Sequence, residues 1–176
     1  MSGDHLAMRA RRVVAGLSSG NRSAVVVDGD TPTRVATEAY TINQIWQMDA
    51  LPPHVAAEDA SGASVTITPP AGGFIYLVTT FPPDSEWDMA AGYKDALAAS
   101  GAAEAHVDGE QIAGLHETDT VDIVTVLSGE MYAVLEEGEV LLRPGDSFVQ
   151  RGTKHAWSNR GDKPCTIVAV MVGATR

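Results

Sequence analysis

The 176-residue sequence predicts an all-β fold, a sandwich or a barrel closed on itself, organised as one domain over residues 1–176. Three features carry that expectation. Short runs rich in Val, Ile and Thr recur through most of the chain, 17 Gly and 9 Pro punctuate them, and several runs alternate polar with apolar residues as a half-buried strand does. Breaks such as Pro69-Pro70, Pro82-Pro83, Ser128-Gly129, Glu137-Gly138 and Pro144-Gly145 leave strands of the length that sandwiches and barrels use.

Taken in order, the N-terminal strands of residues 11–80 are expected at Arg11–Val14, Ser23–Asp28, Thr41–Gln47, Ser64–Thr68 and Phe74–Thr80. Trp46, among Ile42, Ile45 and Met48, is expected at a pocket mouth or between subunits. A helical insertion follows at about residues 85–105. It is alanine-rich, with Trp87, Met89, Tyr93 and Leu97 near the spacing of one helix face, Ser85 and Asp88 as a start signal and Gly101 as a stop. The remaining strands are expected at Val121–Leu127, Glu130–Leu135, Glu139–Arg143, Ser147–Gln150, His155–Asn159 and Cys165–Val172.

Composition narrows the function. With 12 Lys+Arg against 23 Asp+Glu the formal charge is −11, which repels phosphate backbones and anionic membranes, so no nucleic-acid or membrane partner is expected. A single cysteine, Cys165, leaves no intrachain disulfide and no thiolate zinc site. No run of about 18 apolar residues is long enough to span a bilayer. The stretch Met1 to Arg12 lacks the continuous apolar core of a secretory signal, so the expected compartment is the cytoplasm. No nucleotide-binding motif is present, and no nucleotide cofactor is expected.

Residues 114–159 carry the chemistry. If a strand begins at His116, then Thr118, Thr120, Asp122, Val124 and Val126 share its face, polar at one end and apolar at the other. That gradient suits a barrel interior with a site at one end and packed core at the other. His155 begins a second strand with Trp157 and Asn159 on its face, and the two histidines meet inside one barrel. His54 and His106 are expected to face solvent, while Tyr76 and Tyr132 are candidate proton donors.

The same segment resembles the two sequence motifs of the cupin superfamily. His116, Thr118, Asp122 and Gly129 stand at the H, H, E and G positions of the first, with three residues between Thr118 and Asp122 and six between Asp122 and Gly129. Gly145, Gly152, His155 and Asn159 match the second, with Gln150 where proline is usual, and the fifteen residues Glu130 to Pro144 form the hairpin between them. The resemblance implies a double-stranded β-helix, the jelly-roll barrel, with extra N-terminal strands and the helical insertion. It also implies a divalent metal ion, Fe, Mn, Zn or Ni, held by His116, Asp122 and His155, since Thr118 replaces one family ligand. A homodimer paired through the N-terminal strands is a further implication of the family.

Two readings of the site stay open at this level: a metal centre, or a metal-free acid/base cluster of the same three residues. Thr118, Gln150 and Trp157 are the candidate substrate contacts. The expected function is a small-molecule enzyme of cupin type, a non-oxidative lyase, isomerase, cyclase or decarboxylase acting on a small organic acid, carbonyl or polyketide-like compound. The alternatives are a mononuclear nonhaem iron dioxygenase and a non-catalytic small-ligand-binding protein.

Overall fold

A computed structural model describes residues 3–107 and 112–176. In chain order its strands are β1 (Arg11–Leu17), β2 (Ser23–Asp30), β3 (Arg34–Ala36), β4 (Thr41–Met48) and β5 (Phe74–Phe81). After helix α1 (Met89–Ala99) come β6 (Thr120–Ser128), β7 (Met131–Leu135), β8 (Gly138–Leu142), β9 (Ser147–Arg151), β10 (His155–Ser158) and β11 (Cys165–Gly173). All the strand pairings are antiparallel. A six-stranded sheet, β3-β4-β5-β11-β6-β9, and a three-stranded sheet, β10-β7-β8, share one core, and β1-β2 form a separate ribbon. This is the all-β jelly-roll architecture expected from the sequence.

Period-two alternation explains how the core forms. Along β11, Cys165, Ile167, Ala169 and Met171 are buried while the intervening residues are half-buried, and Val124 and Val126 of β6 lie beside them. Met131 and Ala133 of β7, Leu142 of β8 and Trp157 of β10 supply the other sheet's contribution. The turn after β6 depends on Gly129. Its φ is +75°, and a Cβ there would sit 2.8 Å from both Cys165 Cα and the Pro164 carbonyl oxygen.

Helix α1 packs Tyr93, Ala96 and Leu97 into the core at one end of the barrel. Its N-cap is Asp88, whose side chain accepts from the amides of Ala90 and Ala91 at 3.1 Å, so the start signal belongs to Asp88 rather than Ser85. The expected strand at Ser64–Thr68 is absent. Val65 and Ile67 are buried in alternation, but the Thr66 amide donates to the Gln44 side chain and the Ile67 amide to the Ser100 carbonyl, so no neighbouring strand pairs with the segment. Among the described residues, no helix is long and apolar enough to cross a membrane.

Candidate functional site

The two sheets are tied together at the helix end of the barrel by a pair of histidines. The His116 amide donates to the His155 carbonyl at 2.9 Å and the His155 amide returns a bond to the His116 carbonyl at 3.0 Å. This reciprocal antiparallel pair places both side chains on one face. The imidazole centroids lie 4.3 Å apart, and both residues are buried. His116 precedes β6 and His155 opens β10, so the site exists only because the two sheets close on each other.

Each ring is fixed by a backbone carbonyl. His116 Nδ1 donates to the Gly114 carbonyl at 2.9 Å and His155 Nδ1 to the Thr153 carbonyl at 3.0 Å. Gly114 holds its position because its φ is +74° and a Cβ would fall 2.8 Å from the Tyr93 ring, which in turn lies 5.8 Å from the His116 ring. Gln150 anchors the second turn: its amide donates to both the carbonyl and the hydroxyl of Thr153. Burial pushes the His116 pKa down, with the nearby His106 adding to it and the Gly114 bond opposing. Burial, and then the neighbouring His116, push His155 down to about 3. Both imidazoles are therefore neutral at neutral pH.

Asp122 reaches the same cavity from β6. Its carboxyl is raised to about 6, chiefly by burial, with the Thr120 hydroxyl pulling the other way, and its buried Oδ1 has no hydrogen-bond partner among the described residues. The rest of the lining of the ≈ 60 Å³ cavity is mostly apolar, with Thr79, Tyr40 and Tyr93 as its other hydroxyl-bearing residues. Tyr40, Phe81, Tyr93 and Trp157 line it together with aliphatic side chains of β4, β5, β6 and β11. The Tyr40 hydroxyl is occupied by Ser100 at 2.7 Å, and its pKa is pushed up to about 12 by burial.

The expected site residues thus divide. His116, Asp122, His155 and Trp157 line one cavity. Thr118 and Gln150 are buried outside its wall, Thr118 bonded to the Thr120 hydroxyl at 2.7 Å and Gln150 committed to Thr153. Gln150 is therefore a positioning residue for the turn that holds His155. His106 is half-buried and its backbone bridges His116, instead of facing solvent as expected. Trp46 lies beneath Arg12, and Tyr132 beneath Arg160, both away from the cavity. Tyr40 and Tyr93 are wall residues that motif spacing does not reach. For Tyr93 the available signals are the helix-face periodicity and the tight glycine at 114.

The metal implied by the resemblance would draw on His116, His155 and Asp122. Two Nε2 lone pairs and an unpartnered carboxylate oxygen are metal ligands in kind. Among the described residues, however, no group of three or more His, Cys, Asp or Glu side chains is gathered so that it could hold an ion. The set fits a metal in donor type and not in arrangement, and no step below is routed through one.

Comparison with known proteins places this segment. The cupin domain family model matches residues 103–171. Phomopsin biosynthesis cluster proteins C' and D of Diaporthe leptostromiformis are each 49% identical over 47 residues, 26% of this chain and 25% of each relative. Oryzines biosynthesis cluster protein J of Aspergillus oryzae is 49% identical over 45 residues, 25% of each chain. The matched segment spans about a quarter of the length of these curated relatives. Among solved structures, the Cnp3 cupin domain of Schizosaccharomyces pombe has a TM-score of 0.47 at 11% identity, covering 94% of this chain and 89% of that one. A Cupin 2 conserved barrel domain protein from Salinispora arenicola has a TM-score of 0.42 at 13% identity, covering 77% and 76%.

Proposed function

We propose from the site itself that this protein, whose residues 103–171 match the cupin domain family model, takes a small, mostly apolar molecule into the barrel and moves a proton on it, since that fold hosts many activities. The chemistry is of the non-oxidative lyase or isomerase kind. The observation that carries this is the apposition of His116 and His155 with Asp122 on the wall of one apolar cavity.

The residues divide the work by their chemistry. Asp122 has a buried carboxyl raised to about 6, close to the pH at which an acid–base group is most effective, and it takes and returns the proton. His116 and His155, neutral and locked by Gly114 and Thr153, orient the ligand's polar end through Nε2. Tyr93 and Trp157 exclude water from that end and pack the apolar body.

The test is deuterium uptake from D2O into a panel of short hydroxyketones and aldehydes, followed by NMR on protein of known metal content with and without chelator. The Asp122→Asn variant is expected to lose about 10²–10⁴-fold in exchange rate while keeping ligand affinity. An unchanged rate in that variant, no exchange by the wild type, or loss of exchange on chelation would each contradict the assignment.

A further inference from the structure

The alternation that turns one side of the six-stranded sheet toward the cavity leaves its other side apolar as well. Pairing registers set Trp46, Tyr76, Val170, Ile123 and Val149 in one row across β4-β5-β11-β6-β9, on the face opposite the cavity. The row beside it runs from Met48 through Phe74, Val172 and Val121 to Arg151. On the other side lie Asn43, Val78, Val168, Thr125 and Ser147. Ile123 is 49% exposed and Val149 55%, and the rest of their row is half-buried. The chain has 23 Asp+Glu against 12 Lys+Arg, yet no position in the three rows is acidic and Arg151 carries their only charge. An apolar, acid-free face of this extent on so acidic a chain marks an interaction surface.

We infer that this face seats a second copy of the chain, packed sheet against sheet about a two-fold axis that passes close to Val170. Charge selects the occupant. Two chains of net charge −11 repel each other over most orientations, and a two-fold contact through this face brings together the one broad surface on which neither presents a carboxylate. The size also fits. Five strands at ~4.8 Å spacing and about seven residues of ~3.3 Å rise give a flat footprint of ~550 Å². Side chains standing off that plane raise the accessible area toward the ~800 Å² per partner of a standard interface. Arg12 lies over the Trp46 ring, so the β1-β2 ribbon is rooted at one end of the row and continues the apolar surface through Val13, Val25 and Leu17. The inner sides of the same strands line the cavity, so a copy seated here braces that wall and leaves the cavity itself unobstructed. The inference is independent of the proposed function.

The experiment sediments the full chain over a range of concentrations beside Ile123→Glu, Val149→Glu and, on the ribbon, Val25→Glu. The wild type is expected at twice the protomer mass. Each sheet variant is expected to raise the dimer dissociation constant about 30-fold, the scale of losing one interface anchor. Ile123 and Val149 are largely exposed in the single chain, so circular dichroism of both variants is expected to match the wild type. A second arm uses Val170→Cys, which the two-fold places beside its own copy. A short bismaleimide is expected to link two such chains, and the native Cys165 is buried and does not compete. A wild type that stays at the protomer mass would overturn the inference, as would a dimer that both sheet variants leave intact. Dissociation by Val25→Glu alone would confine the contact to the ribbon and overturn it equally. A dimer whose Val170→Cys form resists the cross-linker would place the two-fold elsewhere, with the same consequence.

Discussion

Burying two imidazoles against each other is costly for their charged forms, and the protein meets the cost by keeping both neutral and giving each ring N–H a backbone acceptor. This makes stability depend on pH with a sign fixed by the shifts. A histidine whose folded pKa is lowered contributes stability that is fully present above its unfolded value, about 6.5, and is lost as pH falls toward the folded value. For His155 that value is about 3, and His116 shifts in the same direction. Asp122 works the other way, because its carboxyl is raised to about 6 and its contribution is lost as pH rises through that value. Two lowered histidines outweigh one raised carboxyl, so the urea midpoint is expected to be lower at pH 5 than at pH 7, with a smaller difference in His155→Phe. A midpoint that holds or rises on acidification would contradict the neutral, buried state of the pair.

At the scale of elements, what the sequence made legible was side-chain periodicity, and what it hid was the destination of backbone hydrogen bonds. The face His116, Thr118, Thr120, Asp122, Val124 and Val126 is buried at every position, as alternation requires. Yet β6 starts only at Thr120, because the Glu117 amide donates to Ala105 and the Asp119 carbonyl accepts from Ala174, so the lead-in pairs with no strand over its length. The same distinction explains residues 64–68, apolar in alternation but bonded to Gln44 and Ser100. It also explains the three-residue β3, too short for a periodic signal. In the site, the two histidines and Asp122 were legible from motif order and spacing. The carbonyls of Gly114 and Thr153, which fix the ring tautomers, are backbone atoms with no sequence signature of their own. Tyr93 joins the cavity from a helix 23 residues before His116 only through the closing of the barrel end.

Across the whole molecule, the charge of −11 resides on a chain whose central cavity carries no Lys or Arg among its lining residues, so the overall acidity and the pocket's demand on its ligand are separate matters. The β1-β2 ribbon stands outside both main sheets and exposes Val13, Leu17, Val25 and Val26. A two-stranded ribbon is marginal without something packed on it, and a homodimer through these strands is proposed on that ground together with the family resemblance. Sedimentation is expected to give twice the protomer mass, and a single protomer mass would remove the proposal. The claim on which the account turns is that one cavity, closed by the whole barrel, presents two neutral imidazoles as acceptors. Long-range proton–nitrogen NMR of the His116 and His155 rings tests it most directly. The account requires both rings at neutral pH to be protonated at Nδ1 with Nε2 bare, and an Nε2-protonated tautomer or an imidazolium at either residue would contradict it.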